Sequence, residues 1–155
     1  MKAVGRGADL GCESIQIFNQ SPRAWKPTEY ADEDFAAFNE AMADSTVEAV
    51  IIHAIYLINP ATPEKELREK SRDSLIHALR VGDEIGAAGV VLHPGSRKQD
   101  ELLPALQRAG EMIGEAIGES ERCPVLIEQM AGHKGILGHT FVEIAGMIEV
   151  AGGAD

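Results

Sequence analysis

Four short, almost wholly apolar runs punctuate the chain: Ser14–Phe18, Ala49–His53, Gly89–His93 and Pro124–Glu128. Each is rich in Ile or Val and is bounded by Gly, Pro or polar residues, which is the mark of a strand. Apolar and polar positions do not alternate cleanly within them, so both faces are expected to be covered, as in a parallel sheet. The intervals between runs read as helices. The first spans about Glu29–Ala43, after the turn at Lys26-Pro27. The second spans about Pro63–Ile85, with Thr62 as N-cap, Pro63 at the first helical position, Leu75, Ala78, Leu79 and Ile85 as its apolar stripe, and Gly86 as its stop. A third covers about Asp100–Ile117. The fourth opens at Thr140 with Glu143 three residues on, a capping box, and ends near Val150. Lys2–Gly11 reads as the end of another helix.

Strands alternating with helices predict right-handed crossovers and a parallel α/β sheet. Two architectures fit that order. A doubly wound, flavodoxin-like domain suits the length but needs a fifth strand. A TIM (β/α)8 barrel needs about 250 residues, so four strands with their helices would supply about half of one. No linker, low-complexity stretch or second domain interrupts the pattern, so residues 1–155 are expected to form a single incomplete barrel domain whose two ends look cut.

Composition narrows the setting. The 155 residues carry 14 Lys+Arg against 25 Asp+Glu, a net charge of −11, and 45% hydrophobic residues. No run of about 18 apolar residues occurs, which excludes a membrane-spanning helix, and no secretory signal is visible at the N-terminus. Cys12 and Cys123 are too few for a disulfide framework or a thiolate zinc site. A reducing, cytoplasmic setting is the simplest expectation.

The candidate chemistry sits at the strand ends. Three of the four runs stop on a residue that can ligate a metal: His53, His93 and Glu128. In parallel α/β proteins the C-terminal strand ends are where ligands and catalytic groups gather. One such histidine is commonly structural; three donors in register point to a shared site. Two imidazoles and a carboxylate suit zinc or manganese. The loops that follow the strands, Asn19–Pro27, Ala54–Thr62, Pro94–Gln99 and Gln129–Gly135, together hold five basic residues and no acidic one: Arg23, Lys26, Arg97, Lys98 and Lys134. One face of an acidic chain is thus expected to be positive, which suits a phosphate-bearing substrate. Trp25 and Tyr56 also fall in these loops, where they could stack on bases or simply pack the loop down. His133 and His139 flank a Gly-rich loop and could touch phosphate, although structural roles fit them better. His77, within a helix, reads as a surface or interhelical residue.

Several of these strings resemble the endonuclease IV family of apurinic/apyrimidinic (AP) endonucleases. They are Ile15-Gln-Ile-Phe18 with Pro22-Arg23-Ala-Trp25, His53-Ala-Ile-Tyr56-Leu-Ile-Asn59, His93-Pro-Gly-Ser96, and Leu126-Ile-Glu128 with Ala131-Gly132 and Gly138. They occur in order and cover nearly the whole chain. The resemblance implies a xylose-isomerase-like barrel of which these strands are the second to fifth, with up to three Zn2+ ions in the complete enzyme and metal-dependent hydrolysis of the phosphodiester 5′ to an abasic site in double-stranded DNA. It implies that His53 and His93 are metal ligands, that Glu128 is a bridging ligand and the catalytic carboxylate, and that Arg23, Tyr56 and Leu57 contact DNA. The family's first strand and its later ligands have no counterpart in this chain. A sugar isomerase or epimerase built on a related barrel, and an inactive fragment, are the alternatives. Half a barrel would also leave sheet edges open to self-association.

Overall fold

The computed structural model describes residues 2–153. Its elements run α1 (Lys2–Asp9), β1 (Ser14–Ile17), α2 (Asp32–Ala43), β2 (Ala49–His53), α3 (Lys65–Ile85), β3 (Val90–Leu92), α4 (Leu102–Ile117), β4 (Val125–Ile127) and α5 (Phe141–Val150). All four expected strands form, each within a residue or two of its predicted bounds.

The sheet is parallel throughout and its spatial order is β1-β2-β3-β4. That order decides between the two architectures. A doubly wound sheet reverses direction partway and puts helices on both faces. Strands laid down in one direction with crossovers of one hand carry every helix to the same face, which is how a barrel is built. The helices accordingly stack in sequence along one side, α1 against α2, α2 against α3, α3 against α4 and α4 against α5.

The two sheet faces therefore differ. Val50, Ile52, Val90 and Leu92 point to the helices and are buried with Leu75, Leu79, Met112 and Ile113. The opposite face presents Gln16, Ile51, Val91 and Leu126, less buried positions that would line a barrel interior; Leu126 is 36% exposed. The expectation that both strand faces are covered holds only for the helix side of these residues.

Helix starts depart from expectation, each for a local reason. Thr62 is not the cap of α3, and Pro63 precedes the helix. Thr62 is fully buried, its hydroxyl accepts the Glu64 N–H at 3.2 Å, and Glu64 takes the cap position. The helix ends as expected, at Gly86 with φ +60°, a conformation open to glycine. Helix α2 begins at Asp32, because the Tyr30 hydroxyl is drawn to the Asn19 carbonyl, leaving Ala31 as N-cap. Asp34 accepts the Ala31 N–H at 3.0 Å, and Asp32, Glu33 and Asp34 place negative charge at the positive end of the helix dipole. Helix α4 starts two residues late because the Asp100 carboxylate turns back to the Glu101 N–H and to Arg108. At α5 the Thr140 hydroxyl accepts the Glu143 N–H at 3.2 Å as expected, but Glu143 accepts from the N–H groups of Gly138 and His139 rather than completing a reciprocal box.

A carboxylate also fixes how β4 enters the sheet. Asp83, in the last turn of α3, accepts the N–H groups of Glu121 (2.9 Å), Arg122 (3.0 Å) and Cys123 (2.8 Å) and the Ser120 hydroxyl. Burial pushes its pKa up, but these hydrogen bonds outweigh that and leave it below the ordinary carboxylate value.

Candidate metal centre

The C-terminal ends of β2, β3 and β4 lie side by side, and the ladder continues just past them. Ala54 N–H donates to Val91 O at 2.9 Å, and Glu128 N–H donates to Leu92 O at 3.0 Å. These bonds hold His53, His93 and Glu128 level with one another, on the face away from the helices. One ligand atom from each lies within 4.8 Å of the other two. His53 Nε2 is 3.4 Å and His93 Nε2 is 3.3 Å from the same oxygen, Glu128 Oε2. Donor atoms about 2.0–2.1 Å from one tetrahedral ion stand about 3.3–3.4 Å apart, so the spacing fits a shared cation.

Hydrogen bonding supports the fit. His53 is 6% exposed, and its Nδ1 lies 2.7 Å from the Ala54 carbonyl oxygen. A carbonyl can only accept, so Nδ1 carries the proton and, in the neutral ring, Nε2 presents a lone pair. That lone pair faces a carboxylate oxygen. Two acceptors at this distance repel until a positive centre lies between them, and a backbone-oriented imidazole of this kind is the usual support for a metal ligand. Glu128 is 43% exposed at its side chain, which leaves the cluster open on one side to a substrate.

Aromatic rings wall the cluster. Tyr56 stands at 5.3 Å from His53 and 5.8 Å from His93, ring centre to ring centre, and it is 52% exposed. Phe18 lies beneath, 5.2 Å from His53 and 5.4 Å from Tyr56. The loop question left open by the sequence resolves residue by residue. Ile55 and Ile58 are buried, Trp25 and Leu57 pack partly buried against the main core, and Tyr56 alone of that run turns outward. Leu57 is therefore placed beside the exposed ring but is itself half-buried.

Arg23 is exposed on the neighbouring loop, which Tyr56 joins by donating its N–H to Pro22 O at 3.0 Å. Of the five loop cations, Lys98 pairs with Glu64 and Arg97 donates to the Asp100 carbonyl. Arg23, Lys26 and Lys134 form no ion pair among the described residues. The positive face is thus narrower than loop composition suggested, because Glu64, two residues outside the counted loop, folds back onto it. His139 Nδ1 sits 3.1 Å from Glu143 Oε2, a structural contact, while His133 stays exposed beside Lys134. His77 lines a groove with Tyr30 and Phe35, between α2 and α3, where burial lowers its pKa.

Sequence reasoning attached no role to Asn59, Ser96 or Phe18, although all three lie inside the strings that carried the resemblance. Their partners are 35 or more residues away in sequence, and only folding brings them together.

Residues 4–153 match the family described as xylose isomerase-like TIM barrel, and the chain belongs to that family. Among its relatives, the Probable endonuclease 4 of Halothermothrix orenii is 34% identical over 95% of this chain and 53% of its own length. The Apurinic-apyrimidinic endonuclease 1 of Saccharomyces cerevisiae is 31% identical over 95% of this chain and 42% of its own. The crystal structure of endonuclease IV from Thermus thermophilus superposes with a TM-score of 0.84 at 33% identity, covering 95% of this chain and 53% of that one. The chain spans about half the length of the relatives it matches, and its four-stranded sheet corresponds to half a barrel. No helix among the described residues is long and apolar enough to cross a membrane.

Proposed function

We propose that this protein contributes the metal-binding mouth of an AP endonuclease, a zinc-dependent hydrolase that cleaves double-stranded DNA on the 5′ side of an abasic site. The observation that carries the reading is the convergence of His53, His93 and Glu128 at adjacent strand ends, beside an outward-turned tyrosine. The names and likeness of the relatives support it. Residues 1–155 act as one unit in this reading, the half of a barrel that carries three of its ligands.

The chain's own groups divide the work. His53 and His93 would offer Nε2 lone pairs and Glu128 a carboxylate, with His53 held in the required tautomer by the Ala54 carbonyl. A divalent cation bound there would supply Lewis acidity toward a phosphate oxygen and a lowered pKa for water. Glu128, whose side chain is 43% exposed, would hold or accept a proton at the reacting phosphate. Tyr56 would fill the gap left by a missing base, with half-buried Leu57 supporting it, and stacking of that kind is worth about 1–3 kcal/mol. Arg23 would contact the backbone near the lesion. An intact nucleotide brings a base into the space Tyr56 occupies, and that is the source of selectivity.

The test is fluorescence anisotropy with abasic and undamaged duplexes, with and without zinc, combined with gel analysis of strand cleavage in the same samples. Zinc-dependent preference for the abasic duplex and a nick 5′ to the lesion are expected, both removed by EDTA and by H53A. Protein that binds zinc yet holds both duplexes equally would refute the proposal.

A further inference from the structure

The four strand-end loops are laced together by hydrogen bonds, and one side chain makes the central link. Between the first two loops, Tyr56 N–H donates to Pro22 O at 3.0 Å. Between the second and third, Asn59 Nδ2 donates to Ser96 O at 3.1 Å while Ser96 N–H donates to Asn59 Oδ1 at 2.8 Å, so one amide replaces a rung of backbone pairing. Between the third and fourth, Arg97 N–H donates to Gly135 O at 2.8 Å, Leu137 N–H donates to Gly95 O at 2.9 Å, and the Ser96 hydroxyl donates to Gly135 O at 3.0 Å. Asn59 is itself anchored, because its N–H donates at 3.0 Å to the hydroxyl of fully buried Ser71 on α3. Gly95 completes the joint: at φ +86° it adopts a conformation that disfavours side chains, and a β-carbon there would collide with Asn59 Oδ1.

We propose that Asn59 is a positioning residue: by clamping Ser96 it locks the loop bearing Tyr56 and Leu57 to the loops behind His93 and Glu128, and so sets the register in which a lesion meets the metal cluster. The metal ligands sit at strand ends, held by the ladder, so the clamp governs the placement of Tyr56 and Leu57 and not the cation site. This role rests on the AP endonuclease reading for its consequence in DNA binding, but the clamp itself is tested without DNA.

Hydrogen exchange of the full chain, wild type against N59A, reads the clamp. Loss of the paired bonds should speed exchange at Ser96 by roughly tenfold. If the loops are coupled, Arg97 and Leu137 accelerate with it, while Ile52 and Val90 in the sheet do not. Acceleration confined to Ser96 overturns the coupling. N59D, which keeps the acceptor for Ser96 N–H and loses the donor, should fall between the two and serves if N59A does not fold. Cobalt(II) absorption should be the same in all three proteins, while the preference for abasic over undamaged duplex drops about tenfold or more in N59A. Preserved preference despite accelerated exchange, or a changed cobalt spectrum, overturns the positioning role. A wild-type protein with no abasic preference refutes the enzyme reading alone and leaves the exchange result to judge the clamp.

Discussion

Replacing Asp83 by alanine should detach the entry to β4, and the structure allows the loss to be worked out. The carboxylate is 8% exposed and accepts three consecutive backbone N–H groups, from Glu121, Arg122 and Cys123. Hydrogen bonds to a charged group contribute about 1.5–3 kcal/mol each, but these three are not additive. Glu121 and Arg122 are exposed, so their N–H groups can turn to water once the carboxylate is gone. Cys123 is buried, and its N–H would be stranded. The net loss is therefore about 3 kcal/mol, dominated by one orphaned donor. For a chain of this size that lowers Tm by roughly 6–12 °C.

Urea titration followed by circular dichroism, at several pH values, measures it. Because the folded pKa of Asp83 is lowered, its contribution is fully present above the ordinary carboxylate pKa and is lost as pH falls through the folded value. The gap between wild type and D83A should be constant from neutral pH to about 5 and should narrow below about pH 4. A gap under about 1 kcal/mol at neutral pH, or one that widens on acidification, would show that the carboxylate does not hold the turn.

Three further outcomes are expected. Y56A should leave urea stability within about 0.5 kcal/mol, since the ring is 52% exposed, yet cut the preference for an abasic duplex about tenfold; equal loss of both would make Tyr56 a packing residue. Burial, helped by the nearby charge of Asp83, pushes the Cys123 thiol up to about 11, so iodoacetamide at pH 8 should label it only after unfolding; rapid labelling in the native protein refutes that. Among the described residues β1 and β4 are the open edges of the sheet and its inner face is part-exposed, so sedimentation should show dimers or larger species, and a stable monomer at high concentration would count against edge pairing.

The strands, their parallel sense and the strand-end position of His53, His93 and Glu128 could be read from apolar runs and their last residues, because those signals are local. Helix starts were misplaced at Thr62 and Glu29 because capping depends on where Tyr30 and Thr62 are pulled by the rest of the fold. The positive face was overstated for the same reason: Lys98 and Glu64 meet only after the third loop folds against the start of α3.

Sequence alone determined that this chain makes a parallel α/β sheet with metal-capable groups at three strand ends, since strand periodicity and the identity of a terminal residue need no partner to be seen. Tertiary structure decided the rest. Strand order put all helices on one face and left the other for the site, and convergence on one carboxylate oxygen turned three separate residues into a candidate centre. The Asn59 clamp likewise exists only across 37 residues of intervening chain. The physical reason is that distance in sequence carries no record of distance in space, and coordination, tautomer choice and loop register are all set by contacts between residues that the chain holds far apart.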